Sequence, residues 1–468
     1  MTVAVLGYGT YFPSWRMAPR DAGHANRIVA SFDEDAVTMA VAAARSVIDG
    51  LSTAALAQVV LATSSPPYLD KTNATIVHAA LGLDRTIAAH DRIGTARSTM
   101  SAISADAGPT LLVAADIRTG RPGSADERGG ADTAAALYLG SPTTDSPSLA
   151  DVLVSESRTE EFLDRWREPT ELSASSWEER FGYERYAPLI TEVADAALDA
   201  AGLDQADHVI VTSANSAVAK RATTLVKGQL STTGSAAGFS GAADPIVALA
   251  SVLDVAGADE TVLLVSAADG VDAVLLRTTG ALPAHRQPTS VATQIVGGQA
   301  ITYPTYLSWR GLLDFEPPRR PEPERPAGPP AGRGSGWKFA LQGSRCTVCG
   351  FTHLPPMRIC RGCGAVDEMT PESVAGRSGR VATFTIDRLA YSPSPPVVDV
   401  VVDFDGDGGE RGTAAGRSAF EVADARPDEL EVGSAVTMTF RRLFTAGGVH
   451  NYFWKARQLP STAESSEA

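Results

Sequence analysis

The chain has 468 residues, of which 40 are Lys or Arg and 55 are Asp or Glu, so its formal net charge is −15. That charge excludes a protein that coats nucleic acid or an anionic membrane without specificity. Hydrophobic residues make up 44% of the chain, which is enough for large apolar cores and indicates globular domains. The start carries no basic segment and no run of about 18 apolar residues occurs, so we expect a cytoplasmic protein without a signal peptide or membrane span.

The first 280 residues contain an internal duplication of helix and strand patterns. An Ala-rich helical stretch leads to the apolar run at 59–65, and the same succession leads to the run at 209–215. Two further apolar runs in the first part, at 110–116 and 133–140, recur at 261–269 and 272–277. Short apolar strands that alternate with helices predict sheets buried on both faces. We therefore predict an α/β fold with duplicated βαβ halves at about 1–140 and 188–280, and a helical insertion at 141–187.

A proline-rich segment at 311–336 ends this region, with seven prolines between residues 317 and 336. Proline prevents helix and sheet and favours an extended spacer, so we predict a domain linker. A proline-rich ligand for another domain is the alternative, which the position between two folded regions disfavours.

The four cysteines of the chain, Cys346, Cys349, Cys360 and Cys363, form two C-x-x-C pairs with ten residues between them. Thiolates at this spacing can share one tetrahedral Zn²⁺, because each pair turns both sulfurs to one side. Four sulfurs close the coordination shell, so we predict a structural zinc ribbon at 337–375. Two disulfides or four free thiols are the alternatives, which a reducing cytoplasm disfavours.

Several β-rich runs follow the cysteines, at 380–387, 397–404, 435–441 and 451–456. Short strands separated by clusters of Gly, Pro and Asp are typical of a small all-β barrel of the OB type, which we predict at 376–458. Residues 459–468 are expected to form a tail.

Residues 1 to about 310 resemble the thiolase superfamily, nearest its hydroxymethylglutaryl-CoA synthase and initiating ketoacyl synthase branches. The resemblance lies in residues 7–13 (GYGTYFP), 112–117 (LVAADI), 125–136 (ADERGGADTAAA) and 238–245 (GFSGAADP). Residues 337–458 resemble an acyl-CoA-associated family with a zinc ribbon and an OB fold, through 346–350 (CTVCG) and 354–356 (LPP). The two resemblances imply duplicated thiolase-like halves fused to a module that, in relatives, is often a separate subunit docked on a thiolase-like enzyme.

In that superfamily a Cys at the N-terminus of a buried helix attacks the acyl thioester, and His and Asn side chains assist. The resemblance assigns these roles to residues of other types: Ala96 stands for the Cys, Thr212 for the His, Phe239 for the Asn, and Ser64 for the acid Glu of the synthases. No Cys precedes Cys346, so cysteine-dependent acyl transfer by residues 1–345 is chemically excluded. Arg97 and Asn215 are candidate pocket residues for an acyl-CoA ligand.

These observations favour a noncatalytic or accessory acyl-CoA-binding protein. The resemblance implies a homodimer or heterodimer through the thiolase fold, with a Cys-bearing thiolase or a lipid-transfer-protein-type aldolase as partner. An active Cys-independent acyl-CoA lyase or acyltransferase is the first alternative. It needs a hydroxyl nucleophile such as Ser98 or Thr99 and a base such as His90 or His208.

A second alternative is an OB-fold protein that binds nucleic acid, because residues 441–457 mix cations with aromatic side chains. From residue 337 onward the chain has 14 Lys or Arg against 16 Asp or Glu. That balance lacks the basic footprint of nucleic-acid binders and disfavours this alternative.

Overall fold

A computed structural model describes residues 3–17, 27–49, 51, 53–105, 108–316, 332–406 and 415–459. The chain divides into two compact units. The first consists of the described residues of Met1–Ala30, Asp35–Val77 and Asp84–Tyr306, and the second of those of Ser31–Glu34, His78–Leu83 and Leu307–Ala468. Most of the predicted linker, at 317–331, and nearly all of the predicted tail, at 460–468, lie outside the described residues.

The first unit is built on strands and helices that alternate along the chain. Its strands are β1 (Ala4–Tyr11), β2 (Trp15–Met17), β3 (Arg27–Val29), β4 (Gln58–Thr63), β5 (Ala88–Ile93), β6 (Thr110–Asp116), β7 (Thr133–Gly140), β8 (Ala150–Arg158), β9 (Arg165–Trp166), β10 (Ser175–Ser176), β11 (Ala206–Ser213), β12 (Gly228–Thr232), β13 (Thr261–Ala267), β14 (Val271–Thr278) and β15 (Gln299–Ile301). The helices up to residue 309 are α1 (Ala36–Ile48), α2 (Ala74–Ala80), α3 (Ala96–Ile103), α4 (Ala125–Gly129), α5 (Glu179–Ala201), α6 (Ser216–Arg221), α7 (Asp244–Leu253), α8 (Val291–Ile295) and α9 (Tyr303–Trp309).

A ten-stranded sheet in the order β12-β11-β13-β14-β8-β1-β7-β6-β4-β5 carries the duplication. In the first half β5, β4 and β6 are parallel, whereas β7 and β1 continue the sheet in antiparallel pairs. In the second half β12, β11, β13, β14 and β8 repeat this arrangement strand for strand. The antiparallel pair of β1 and β8 joins the two halves. The predicted α/β duplication is confirmed.

The structure differs from the expectation for residues 141–187, which were expected to form a helical insertion. Residues 150–158 form β8 in the middle of the sheet, and helix α5 begins at Glu179. The second half therefore begins with β8, the counterpart of β1, rather than at residue 188. Only Ala150 of β8 is fully buried, and residues 155–158 are all polar, so this strand lacks the continuous apolar run by which its neighbours were predicted.

Two helices of the duplicated pattern, α3 after β5 and α7 after β12, are buried against the same face of the sheet. Every residue of α7 except Ser251 is buried. Alternate residues of β11 serve the two faces: Ile210 belongs to the core of α3 and α7, whereas Val209 and Val211 belong to the core under α5. Within the described residues, no helix combines the length and apolar character needed to cross a bilayer.

The second unit contains two small sheets and one helix after the proline-rich segment. They are formed by α10 (Ser335–Ala340), β16 (Gln342–Cys346), β17 (Thr352–His353), β18 (Met369–Ser373), β19 (Gly379–Asp387), β20 (Val397–Phe404), β21 (Arg417–Glu421), β22 (Ala435–Ala446) and β23 (Val449–Gln458). The order β17-β16-β18 makes a three-stranded ribbon, and β21-β20-β19-β22-β23 makes a five-stranded antiparallel sheet. A bridge between Val422 and Ala456 brings the end of β21 to β23, as in a small barrel.

A buried ionic cluster lies inside the second unit. The guanidinium of Arg441, which is fully buried, contacts Asp33 at 3.2 Å, Glu34 at 2.9 Å and Asp424 at 2.7 Å. The ammonium of Lys455 lies 2.8 Å from Asp33. Burial opposes ionisation of Asp33, but the charges of Lys455 and Arg441 outweigh it and lower its pKa to about 2.

Candidate ligand cavity and metal centre

A cavity of about 610 Å³ opens at the carboxyl ends of the parallel strands in the first unit. Its wall is formed by residues that follow β4, β6, β11 and β13, by the start of α3, by the loop before α7, and by the segment 164–174. Crevices at this edge of α/β sheets are the usual place for ligands. The volume lies in the range of small-molecule and cofactor sites, about 300–1,000 Å³.

Three of the four positions that the sequence assigned to the family's catalytic side chains line this cavity: Ser64, Ala96 and Phe239. Thr212 does not line it. Thr212 lies in β11 and is 1% exposed. Its Oγ1 has no hydrogen-bond partner in the part of the chain that the structure describes. The cavity wall at this strand is formed instead by Ala214.

Helix α3 begins at the cavity. Thr95 caps it, with its hydroxyl accepting a hydrogen bond from the N–H of Arg97, and Ala96 is the first helical residue. A cysteine at this place would have the helix N-terminus to stabilise its thiolate, but the methyl group of Ala96 offers neither a nucleophile nor a proton. The start of α3 therefore presents a helix N-terminus to the cavity without a thiol.

The carboxylate of Asp116, at the end of β6, organises the floor of the cavity. Its oxygens accept hydrogen bonds from the hydroxyls of Thr63 (2.8 Å), Ser64 (2.7 Å) and Ser65 (3.1 Å). They also accept from the backbone N–H groups of Ser64, Ser65 and Ala242. Asp116 is fully buried, so its charge is compensated by these donors and by a guanidinium 3.9 Å away, that of Arg118.

Three arginines line the cavity: Arg118, Arg165 and Arg167. Burial lowers the pKa of Arg118, and the like charge of Arg165 lowers it further. Arg165 forms a bidentate ion pair with Asp126, in which its two terminal nitrogens lie 2.6 and 2.7 Å from the two carboxylate oxygens. An acidic chain thus carries a cluster of cations in its cavity.

The remaining predicted pocket residues lie beside the cavity wall. Arg97 turns toward β8 and β14, where it donates to the hydroxyl of Ser157 at 2.9 Å and pairs with Asp272 at 3.5 Å. Asn215 caps α6 and donates to Asp164, which lines the cavity, at 3.0 Å. Neither Arg97 nor Asn215 lines the cavity itself.

The four residues that the sequence offers to a Cys-independent enzyme, Ser98, Thr99, His90 and His208, do not line the cavity. His90 is exposed on the edge strand β5, and His208 contacts Ser231 at 3.0 Å and Glu260 at 2.9 Å. The hydroxyl of Thr99 is buried and donates to the carbonyl of Ala242 at 2.6 Å. These residues, like Ser98, are absent from the cavity wall.

The four cysteines lie at the tips of two turns with the same geometry. The N–H of Gly350 donates to the carbonyl of Cys346, and the N–H of Gly364 donates to the carbonyl of Cys360, both at 2.9 Å. Both glycines have positive φ, 76° and 78°, a conformation that glycine adopts without steric cost. The two turns therefore present equivalent pairs of thiols.

The sulfur positions fit one tetrahedral metal ion. All four Sγ atoms lie within 4.8 Å of one another, and the Sγ atoms are 3.7 Å apart for Cys346 and Cys363 and 3.5 Å apart for Cys349 and Cys360. Four thiolates at about 2.3 Å from a Zn²⁺ are about 3.8 Å apart. None of the four is in a disulfide, so the alternative of two disulfides does not describe this cluster.

The arginines of the cavity are not among the site residues predicted from the sequence. Arg118 could have been found, because it follows β6 by two residues and the carboxyl ends of parallel strands are where ligands bind. Arg165 and Arg167 lie in a segment without apolar periodicity and reach the cavity only through the tertiary fold.

Comparisons with known proteins find relatives of two kinds, one for the large thiolase-like part and one for the C-terminal part. The hydroxymethylglutaryl-CoA synthase of Archaeoglobus fulgidus is 27% identical over 342 residues, 66% of this chain and 98% of that protein. A DUF35 domain-containing scaffold protein of Methanocaldococcus jannaschii is 26% identical over 127 residues, 26% of this chain and 84% of that protein. No protein-family model matches the chain.

Among solved structures, PksG, a hydroxymethylglutaryl-CoA synthase from Bacillus subtilis, matches with a TM-score of 0.57 and 16% identity, over 67% of this chain and 89% of that one. The chain thus combines a thiolase-like part with homology to hydroxymethylglutaryl-CoA synthases and a C-terminal part with homology to DUF35 scaffold proteins. The predicted resemblance, the fold class and the fused arrangement are confirmed.

Proposed function

We propose that this protein binds acyl-CoA noncovalently in the cavity of its thiolase-like part and acts as an accessory chain to a catalytic partner. The observation that carries the proposal is Ala96. It occupies the cavity-facing first position of α3, in a part of the chain that contains no thiol. The cavity is retained while the nucleophile is missing.

The other substitutions point in the same direction. Phe239 places an aromatic ring in the cavity wall where the resemblance expects an amide, and Ser64 places a hydroxyl where it expects a carboxylic acid. The ring of Phe239 can neither take nor give a proton, and the hydroxyl of Ser64 already donates its hydrogen to the buried carboxylate of Asp116 at 2.7 Å. The cavity wall instead offers apolar surface, which suits the acyl chain of a thioester, and cations, which suit the charged groups of the ligand.

The second unit supports the accessory role. One relative of this part is named a scaffold protein, and we infer that the ribbon and the five-stranded sheet help to present the ligand to a partner. The expected partner is a Cys-bearing thiolase or a lipid-transfer-protein-type aldolase, joined through the thiolase fold as one half of a dimer. A structural Zn²⁺ held by Cys346, Cys349, Cys360 and Cys363 would fix the ribbon, and it takes no part in acyl chemistry because its four ligands leave no open position.

Calorimetric titration with acetyl-CoA and butyryl-CoA tests the proposal, together with intact-mass measurement after the same incubation. We expect binding without a covalent adduct. The variant Ala96→Leu should weaken binding at least about tenfold, because it fills the start of the cavity. Ser101→Leu, on the exposed face of the same helix, is the control and should bind normally. A covalent acyl adduct on residues 1–345, or turnover by the isolated chain, would overturn the proposal.

Size-exclusion chromatography with a Cys-bearing thiolase or aldolase from the same cell tests the partner. A mixed dimer with altered activity of the enzyme is expected. Separate elution of the two chains with unchanged activity contradicts the accessory role and leaves the binding of acyl-CoA to be judged by the titration.

A further inference from the structure

We propose that the cavity selects acyl-CoA esters whose acyl chain ends in a carboxylate, and that Arg118 and Arg167 bind this carboxylate beside Ser64. The inference rests on the proposed function and goes further by naming the class of acyl group.

On the cavity floor, Arg118 contacts two neutral groups and lies 3.9 Å from the buried carboxylate of Asp116. Its Nη1 donates to Ser64 Oγ at 3.1 Å, and its guanidinium carbon lies 5.1 Å from the ring centroid of Phe239. Its side chain is 13% exposed. The nearest carboxylate, that of Asp116, already accepts hydrogen bonds from the hydroxyls and N–H groups of the β4 turn and from Ala242. Arg118 therefore keeps hydrogen-bonding capacity for a ligand.

Arg167 reaches the same residue from the other side. One of its nitrogens donates to the carbonyl of Ser64, and the other donates to the carbonyl of Glu171 at 3.0 Å. Among the described residues, no ion pair joins Arg167 to a carboxylate. Two guanidinium groups thus meet at Ser64, with neutral oxygens as their hydrogen-bond acceptors and one carboxylate, that of Asp116, 3.9 Å from Arg118. Such a pair favours a bidentate anion such as a carboxylate.

The third arginine shows the contrast. Arg165 also lines the cavity, but Asp126 binds both of its terminal nitrogens, so its charge is already compensated. The cavity wall also contains the carboxyl groups of Asp164 and Asp269. Burial raises the pKa of Asp164, and an anionic ligand is disfavoured near these two groups. The anion site is therefore confined to the surroundings of Ser64.

Ser64 is the residue that makes this site available. A carboxylate side chain at this position would form a direct ion pair with Arg118, whereas the hydroxyl of Ser64 accepts a hydrogen bond from Arg118 and donates its own to Asp116. Ser64, Phe239 and Ala96 all line the cavity at positions that the resemblance gives to the reacting end of the acyl chain. We therefore assign the anion to the acyl group rather than to the phosphates of CoA.

A matched pair of ligands, glutaryl-CoA and pentanoyl-CoA, tests the assignment, because the two share the CoA part and the chain length but only glutaryl-CoA carries a carboxylate. We expect glutaryl-CoA to bind at least about tenfold more tightly, as a charge-assisted hydrogen bond allows. Arg118→Gln and Ser64→Glu should each weaken glutaryl-CoA more than pentanoyl-CoA, so that the ratio of the two dissociation constants falls to about one. Arg165→Gln is the control, because it removes a cavity cation whose charge Asp126 already compensates; the preference for glutaryl-CoA should remain. Thermal unfolding of each variant verifies folding.

The outcomes separate the two proposals. If Arg118→Gln weakens both esters equally, the arginine binds a CoA phosphate and the assignment is wrong. Equal binding of both esters by the unmodified chain also overturns it, while the proposed binding of acyl-CoA stands. If neither ester binds, the proposed function itself fails. Ser64→Glu retains Arg118, so it decides the question even if Arg118→Gln does not fold.

Discussion

Asp116 and Ala242 form a hydrogen bond between the two halves of the thiolase-like part. The carboxylate Oδ2 of Asp116 accepts the backbone N–H of Ala242 at 2.7 Å, across 126 residues of sequence. The residue before Ala242 is Gly241, with φ of 64°, and a Cβ built on it would lie 2.0 Å from the same Oδ2. The close approach of the two halves at the cavity thus depends on a residue without a side chain.

Gly241→Ala should therefore destabilise the protein by about 3 kcal/mol or more, because it combines a positive φ with a collision against a buried carboxylate. Urea unfolding measures the loss. Gly123→Ala is the control: its φ is 78° and nothing lies within 4 Å of a built Cβ, so it should cost only about 1 kcal/mol. Equal losses for both variants would show that the contact with Asp116 is unimportant.

Ala96→Cys tests the chemistry that the cavity has lost. A thiol at the start of α3 gains thiolate character from the helix N-terminus, so we expect a stable thioester after incubation with acetyl-CoA, detected by intact mass. The thioester should accumulate without turnover, because Phe239 and Thr212 supply no base. Ser101→Cys, exposed on the same helix, should remain unmodified on the same timescale.

Cys349→Ser should remove the metal. Structural zinc sites contribute roughly 10 kcal/mol or more of apparent binding free energy, so loss of one thiolate should unfold the ribbon. Metal analysis should fall from one zinc ion per chain to nearly none, and a chelator should produce the same early thermal transition in the unmodified protein. Val348→Ser changes the neighbouring exposed residue and should retain the metal. A full zinc content in Cys349→Ser would contradict the assignment.

Asp244 predicts a dependence of stability on pH. Burial raises its pKa from 3.8 to about 6, against hydrogen bonds from the backbone N–H groups of Ser240 and Ser235. Because the folded chain holds this proton more tightly than the unfolded chain, its contribution is complete below about pH 4 and is lost as the pH rises through 6. Asp244→Asn should remove this dependence and be more stable at pH 8 by about 2 kcal/mol. Urea unfolding between pH 4 and pH 8 measures both effects.

Arg441→Met should be among the most destabilising single changes in the second unit. It leaves the carboxylates of Asp33, Glu34 and Asp424 buried without their shared cation, which costs about 3–5 kcal/mol. Arg426→Met breaks the partly exposed pair with Glu429 and should cost less than about 1 kcal/mol. Denaturant unfolding compares the two, and similar small losses for both would mean that the cluster is dispensable.

The sequence predicted the parts of the fold that depend on apolar runs. Strands β6, β7 and β20 lie where their runs were found, and the duplication emerged from the spacing of such runs. Strand β8 was missed because residues 155–158 are polar and a register shift at Leu153 interrupts the alternation, so that Val152 packs against one core and Val154 against the other. Strand β21 was missed as well, because its five residues offer too short a pattern.

The candidate site was predictable only where a residue follows a recognisable strand or motif. Ser64, Ala96 and Phe239 were placed by the resemblance, and the structure brings them to one cavity. Thr212 lies inside β11, two residues before Ala214, which does line the cavity, and the sequence does not reveal where along the strand the cavity begins. The two positive charges at Ser64 belong to Arg118 and Arg167, which are far from Ser64 in sequence and become its neighbours only in the tertiary fold.

The twofold repeat of the thiolase-like part places two equivalent helix starts at its central layer, that of α3 and that of α7. At α3 the first residue is Ala96, which faces the cavity; at α7 it is Asp244, which is buried and whose carboxylate accepts hydrogen bonds from nearby N–H groups. The two helix starts are equivalent by symmetry, yet at α7 the protein's own carboxylate occupies the N–H groups. A ligand should accordingly occupy each chain with a stoichiometry of one, and an assembly of two chains should carry two ligands rather than four.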